Sequence, residues 1–172
     1  MTMAVNVSAL QITADFPAKM ENFLKQYDIL PNTLELEITE TLLMENIDFV
    51  QPLLSKICDL GIYFAIDDFG TGYSSLSYLR YLPINKLKID RAFVLNLENN
   101  QEDVAMVKAI IAMAKNLNLK VLAEGIETKS QLNILKEQGC DAYQGYYFSR
   151  PVEKETFYSL YIDGTAAVQS SH

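Results

Sequence analysis

The sequence contains a single histidine, His172, which is its last residue. A zinc site built on imidazole ligands and a Ser-His-Asp triad both need a histidine within the fold, so neither is expected. Cysteine is almost as scarce, and both Cys58 and Cys140 lie in mostly apolar settings. Such settings favour buried free thiols over a disulfide. Because free thiols are typical of a reducing compartment, we predict a cytoplasmic protein.

Positive charge is also in short supply, with 14 Lys and Arg residues against 22 Asp and Glu residues and a net charge of −8. A chain of this charge is not expected to bind the phosphate backbone of nucleic acids. It can still bind an anionic small ligand when metal ions supply the positive charge. The sequence has no apolar run long enough for a membrane segment, and no signal peptide is predicted.

The 172 residues, 49% of them hydrophobic, suffice for one domain with one core. Strand-like and helical patterns alternate six times without a linker, which predicts a parallel sheet in an α/β fold. No Gly-rich phosphate loop follows the first strand-like segment, which weighs against a doubly wound sheet. We therefore predict an incomplete TIM-type barrel of about six of eight strand–helix units over residues 1–162, followed by a disordered tail, 163–172.

Three segments carry specific predictions about local structure. Residues 34–40 alternate between apolar and acidic side chains, and in a barrel Glu35, Glu37 and Thr39 would project together, either inward or outward. A helix over about 50–60 would place Pro52 in its first turn. Residues 141–148 are predicted to form the last strand.

The stretch 63–75 has the most distinctive chemistry. An unbroken apolar run, typical of a parallel strand buried on both faces, ends in Asp67 and Asp68 and is followed by a glycine-rich turn. Two carboxylates at the end of a buried strand repel each other unless a cation lies between them. On this stretch alone, a divalent metal site and an ordinary solvated corner are equally good interpretations.

Polar side chains stand at the ends of nearly all the predicted strands: Asn6, Glu37, Asp67 with Asp68, Lys88, Glu124 and Gln144. A TIM-type barrel brings its strand ends to one centre. Oxygen ligands alone suit Mg²⁺ or Mn²⁺. In such a centre Lys88 could orient a water or face a phosphate, and Glu124 could accept a proton. Each residue alone could be an ordinary loop side chain, so the metal hypothesis depends on their agreement.

These motifs, in this order, closely resemble the EAL domain family. The matching segments are 5–8 around Asn6, Glu37-Ile38-Thr39-Glu40, 67–72, 88–90, Glu124-Gly125-Ile126-Glu127, 144–146 and Ser149-Arg150-Pro151. The resemblance runs from Val5 to about Leu160. It implies a bacterial phosphodiesterase on a modified TIM barrel that linearises cyclic di-GMP to pGpG by two-metal activation of a water.

The resemblance also implies a role for each matched residue. Asn6, Glu37 and Asp67 would hold one Mg²⁺ or Mn²⁺ ion, and Asp67 with Asp68 the second. Lys88 and Glu124 would position or deprotonate the water, with Gln144 close by. Glu40 would anchor the loop 69–75, and Glu127 would be a further supporting acid. Ligand contacts would involve Asp90, Gly70, Thr71, Gly72, Arg150 and Pro151.

The Glu-Ala-Leu signature of the family is absent from the sequence. Because the family places it upstream of the strand that begins here, we expect the first two strands, one glutamate ligand and a ligand-contacting arginine to be missing. We then expect weak or absent hydrolysis and a metal site that can be empty. We also expect a homodimer or higher oligomer joined through open barrel edges. The alternative is a non-catalytic module that binds cyclic di-GMP or another protein through the same cavity.

Overall fold

The computed structural model describes residues 2–70 and 76–161. Within them, six parallel strands form one sheet in chain order. The strands are β1 (Met3–Asn6), β2 (Leu34–Thr39), β3 (Tyr63–Phe69), β4 (Lys86–Ile89), β5 (Lys120–Ala123) and β6 (Ala142–Tyr143). The sheet curls into a half-barrel with helices in the connections, which confirms the predicted incomplete TIM-type barrel.

Helices occupy every connection between the strands and follow the last one. They are α1 (Phe16–Gln26), α2 (Glu40–Glu45), α3 (Ile47–Cys58), α4 (Leu76–Leu79), α5 (Arg91–Leu95), α6 (Gln101–Asn116), α7 (Lys129–Glu137) and α8 (Lys154–Tyr161). A 3₁₀ turn, Ala9–Gln11, precedes α1. In residues 2–70 and 76–161, no helix has both the length and the apolar character needed to cross a bilayer.

The core lies between the sheet and the helices around it. The central strands are buried on both faces, as the apolar run before Asp67 predicts, and Phe64, Ala65 and Ile66 are fully buried. On the helical side, α6 contributes the stripe of Val107, Ile110, Ile111 and Ala114, spaced at helical intervals. By contrast, all four residues of β1 are exposed. The middle of the sheet, formed by β3, β4 and β5, is therefore much more deeply buried than β1.

Two of the local predictions are wrong. Strand β6 covers only Ala142–Tyr143, because the chain turns at Gly145 and the N–H of Tyr147 donates to Ile126 instead of extending the ladder. Helix α3 begins at Ile47, so Pro52 lies inside the helix and not in its first turn. The predicted tail, 163–172, lies outside the described residues.

Candidate functional site

The centre of the site is the ammonium group of Lys88, on β4. Its Nζ lies 2.7 Å from Oε2 of Glu37, 2.9 Å from Oδ1 of Asp67 and 2.8 Å from Oε1 of Glu124. The lysine side chain is only 4% exposed. Four neighbouring strands thus deliver these side chains to one point, because the carboxyl ends of parallel strands meet at the same end of a barrel.

The ion pairs of Glu35 and Glu37 show which face of the sheet the alternating glutamates of β2 occupy. Glu37 meets Lys88, and Glu35, one step earlier on the same face, meets Lys86 at 2.6 Å. Both glutamates therefore project inward, toward the lysines of β4. Asn6 lies beside Glu37 across the β1–β2 ladder, and its side chain is exposed.

The electrostatics of this cluster favour a permanently charged lysine. Burial by itself would lower the pKa of Lys88, but hydrogen bonds to Glu124, Glu37 and Asp67 outweigh it and raise the pKa above its ordinary value. Burial raises the pKa of Glu124, and Lys88 offsets only part of that effect. Glu124 is consequently better suited to take up a proton than an exposed glutamate would be.

A break in the regular strand geometry brings Asp68 into the same site. Side chains of consecutive strand residues normally point to opposite faces. Here Asp68 adopts a φ of +53°, and the register between β3 and β4 shifts between Ile66 and Phe69. Carboxylate oxygens of Asp67, Asp68 and Glu124 consequently lie within 4.8 Å of one another. Bulges of this kind re-aim side chains next to active sites.

The surroundings of Asp68 disfavour the charged form of its carboxyl group. Burial, the charge of Asp67 and a hydrogen bond with Asp90 each raise the pKa of its carboxyl group. Its backbone N–H donates to Oδ1 of Asp67 at 3.0 Å. A divalent cation bound between these oxygens would remove the repulsion. Because the donor set consists of oxygens alone, it fits Mg²⁺ or Mn²⁺ better than a soft metal.

A buried acceptor fixes the start of the loop that follows Asp68. Oε2 of Glu40, a residue only 2% exposed, accepts a hydrogen bond from the N–H of Gly70 at 3.0 Å. Gly70 has a φ of +100°, which favours glycine. Thr71 and Gly72, the other ligand-contact residues predicted in this loop, lie outside the described residues.

Two predicted residues next to Lys88 and Glu124 support the loops around the acids. Asp90 caps α5, because its Oδ1 accepts from the N–H of Ala92 at 2.7 Å. Glu127 pairs with Arg91, at 2.6 Å between Nη2 and Oε1. Arg91 follows Lys88-Ile89-Asp90 directly in the sequence, and that adjacency was the only signal that could have identified it as the partner of Glu127.

One cavity opens beside Glu124, and a second meets it at Gln144. One, of about 210 Å³, is lined by Glu124, Gln144, Arg91 and Tyr146 among others. The other, of about 540 Å³, also touches Gln144 and is lined by the predicted ligand residues Arg150 and Pro151. Gln144 lies between them, held by backbone hydrogen bonds to Ala123 and Ile126. Gln144 therefore adjoins Glu124 through the smaller cavity, and Arg150 and Pro151 lie further away, in the larger one.

Comparison with known proteins gives a consistent result. The model of the EAL domain family matches residues 1–151. Cyclic di-GMP phosphodiesterase NbdA of Pseudomonas aeruginosa is 48% identical over 151 residues, which are 87% of this chain and 19% of that protein. The chain spans about a fifth of the length of the curated relatives it matches.

Solved structures agree with the fold. The PaMucR phosphodiesterase in complex with c-di-GMP superposes with a TM-score of 0.87 at 42% identity, over 91% of this chain and 64% of that one. A manganese/cy-diGMP complex of Klebsiella pneumoniae BlrP1 superposes with a TM-score of 0.80 at 30% identity, over 87% of this chain and 39% of that one.

Proposed function

The chain belongs to the EAL domain family, whose model matches residues 1–151, and from that premise we propose that its acidic centre binds cyclic di-GMP and hydrolyses it to pGpG. The observation that carries the proposal is the buried cluster in which Lys88 contacts three carboxylates beside Asp68. It combines oxygen ligands for cations with an ammonium group for a phosphate. The similarity to NbdA and to the PaMucR complex supports cyclic di-GMP as the substrate.

We assign the metal ligands to the strand-end oxygens of this cluster. Asn6, Glu37 and Asp67 would hold one Mg²⁺ or Mn²⁺ ion, and Asp67 with Asp68 the second. When bound, such ions lower the pKa of a coordinated water and neutralise phosphate charge. The manganese complex of BlrP1 supports a metal at this site, and the carboxylate oxygens of Asp67 and Asp68, which lie within 4.8 Å of each other, support their part of the assignment.

The chain's own residues supply the rest of the chemistry. The Lys88 ammonium, held by its carboxylates, would orient the water or face the phosphate. Glu124, whose burial raises its pKa, would accept the proton that the water loses. Gln144, at the junction of the two cavities, would contact the ligand close to that water.

The surrounding residues would orient the ligand and the loops. Glu40 would hold the loop after Asp68 through Gly70, and Glu127 would support the segment after Glu124. We propose ligand contacts by Asp90, Gly70, Thr71, Gly72, Arg150 and Pro151. Arg150 and Pro151 are supported by their place in the larger cavity, where the Arg150 guanidinium lies 5.0 Å from the centre of the Tyr146 ring.

Turnover of cyclic di-GMP tests the proposal. The purified chain is incubated with cyclic di-GMP and Mn²⁺ or Mg²⁺, and pGpG is quantified by chromatography. We expect metal-dependent product at less than about 1 per second, the low end of ordinary enzymes, because the sequence holds no Glu-Ala-Leu glutamate. The D67N variant should form no product, whereas D48N, at an exposed aspartate of α3, should match the unmodified chain.

Calorimetry on the same samples separates the alternatives. Binding of cyclic di-GMP without any product would identify a non-catalytic binding module, which is the alternative hypothesis for this site. A chain that neither binds nor hydrolyses the dinucleotide would contradict the proposal.

Two further properties complete the proposal. We infer a cytoplasmic setting in a bacterium, supported by the free thiols of Cys58 and Cys140. We also propose that the chain forms a homodimer or higher oligomer, supported by the exposed strand β1 at one end of the sheet.

A further inference from the structure

The short helix α5 lies between the two loops that follow the catalytic carboxylates. It begins one residue after Asp90 and so follows directly on the strand that carries Lys88. On one side its Phe93 packs against Gly70, and on the other its Arg91 packs against Gly125. Both glycines adopt positive φ values, and each comes one or two residues after an acid of the site.

The contact between Phe93 and Gly70 leaves no room for a side chain. A Cβ atom added at Gly70 would lie 2.9 Å from Cε2 and 3.1 Å from Cζ of Phe93. The Cε2–Cζ edge of the ring therefore lies against the backbone two residues after Asp68. Because the N–H of Gly70 also donates to Glu40, that backbone is held from two directions.

The contact between Arg91 and Gly125 is tighter still. A Cβ atom added at Gly125 would lie 2.2 Å from Cγ of Arg91 and 2.8 Å from its Cβ and Cδ. The aliphatic stem of Arg91 thus crosses the backbone directly after Glu124. Its guanidinium then continues to Glu127, so a single side chain contacts the beginning and the end of the segment 124–127.

Helix α5 itself is fixed at both of its ends. Asp90 caps its first turn through the N–H of Ala92, and Val94 is fully buried in the core. Phe93 and Arg91 therefore extend from a rigid base toward opposite loops. A displacement of either loop would have to move a packed helix or open a gap against it.

We propose that α5 is a positioning element, and that Phe93 and Arg91 are positioning residues that set the spacing between the Asp67–Asp68 pair and Glu124. Oxygens of these three acids lie within 4.8 Å of one another, although they stand at the ends of two separate strands, β3 and β5. A common support for both loops explains how that spacing is kept despite the repulsion between the carboxylates. The inference rests on the proposed function only where it treats Asp67 and Asp68 as metal ligands. Glu124 enters because its carboxylate lies within 4.8 Å of theirs and so borders the same cation.

Binding of Mn²⁺ alone, measured by calorimetry, is the first test. F93A and R91A should each weaken Mn²⁺ binding by about 10-fold, the lower range for residues that orient metal ligands. F93L keeps an apolar contact and R91M keeps the stem across Gly125, so both should recover most of the affinity. L95A, at an exposed position of the same helix, should bind as the unmodified chain does.

Amide hydrogen exchange without metal is the second readout. F93A should speed exchange at the N–H of Gly70, which donates to Glu40, and leave Glu124 unchanged. R91A should speed exchange at the N–H of Glu124, which donates to Ile89, and leave Gly70 unchanged. V94A removes a core side chain that is not among the nearest neighbours of either glycine, so it should lower the melting temperature without either local change.

The outcomes separate this inference from the proposed function. If the unmodified chain bound no Mn²⁺, the proposed function would fail, while the exchange pattern would still decide whether α5 positions the loops. Folded F93A and R91A with unchanged exchange at both amides would overturn the inference. It would also be overturned if V94A weakened Mn²⁺ binding as much as F93A and R91A do.

Discussion

Lys88 is a buried cation whose single ammonium group contacts three carboxylates, and its replacement should therefore destabilise the fold. In K88M, Glu37, Asp67 and Glu124 lose the cation that they share. Removing one member of a buried ionic cluster costs about 3–5 kcal/mol, because uncompensated charge remains in the interior. We expect a loss of that size in the free energy of unfolding, measured by urea denaturation at pH 8.

The same variant should show an altered dependence on pH. In the unmodified chain the raised pKa of Lys88 contributes stability that is present below its ordinary value of 10.5 and is lost as the pH rises above it. In K88M that alkaline loss should disappear. Glu124, whose pKa is already raised, should gain protons more readily, so the deficit should shrink from pH 8 to pH 5. K108M, at an exposed lysine of α6, is the matched control. Equal stability of K88M and K108M at pH 8 would show that the cluster contributes nothing.

At the residue scale, the sequence predicted the members of the site better than their contacts. The strand-end argument named Glu37, Asp67, Lys88 and Glu124, which the structure brings together around one ammonium group. It could not name Phe93 or Arg91, because their contacts depend on how close two backbones come, and no spacing in the sequence encodes that distance.

At the scale of elements, the helix caps make predictions independent of the site. Asn100 begins α6: its Oδ1 accepts from the N–H of Glu102 at 2.9 Å, and its Nδ2 donates to Asp103 at 3.0 Å. Replacing such a cap by alanine costs about 1 kcal/mol. We expect that loss for N100A in urea denaturation, and a smaller one for N100S, whose hydroxyl can still accept the first bond.

Mn²⁺ binding provides a control for the prediction about the Asn100 cap. The hydrogen bonds described for Asn100 go to Glu102 and Asp103, and neither residue belongs to the acidic site. Mn²⁺ affinity should therefore not change in N100A. N100A and N100S of equal stability would mean that the cap hydrogen bonds do not stabilise α6.

The elements that the sequence predicted poorly are those decided by tertiary pairing. The aromatic run after Gln144 has strand character. However, the N–H of Tyr147 donates to the carbonyl oxygen of Ile126, and β6 ends at Tyr143. The irregularity at Asp67 and Asp68 likewise depends on the register with β4, which residues 63–75 alone cannot encode. A long periodic segment such as α6 depends less on tertiary pairing, because its apolar stripe is a local property of the sequence.

At the scale of the whole molecule, the net charge of −8 and the acidic centre together predict stabilisation by divalent cations. Ligand binding to the folded state alone stabilises it by about 2.7 kcal/mol at 100 times the dissociation constant. Mn²⁺ at that concentration should therefore raise the melting temperature of the unmodified chain. D67N should lose the shift and D48N should keep it. A shift of the same size in D67N would indicate diffuse binding to the acidic surface and not a site.

The open ends of the sheet predict self-association. Among the described strands, β1 pairs only with β2 and β6 only with β5. Strand β1 therefore presents unpaired backbone groups beside Met3 and Val5, which are 67% and 42% exposed. Near the other end, Phe148 is 51% exposed. Unprotected edges with apolar side chains pair readily with another chain.

We therefore expect light scattering at micromolar concentration to give a dimer or a larger species of the 19.4 kDa chain. A lysine on an edge strand blocks pairing, so V5K should give a monomer if β1 forms the contact. F148K places a charge on the exposed apolar turn after β6, so it should give a monomer if that end forms the contact. M106K, on the exposed side of α6, controls for the added charge. A stable monomer of the unmodified chain would show that neither edge recruits a second copy. The side chains of β1 and the turn after β6 would then be sufficient to prevent the two edges of the sheet from pairing with a second chain.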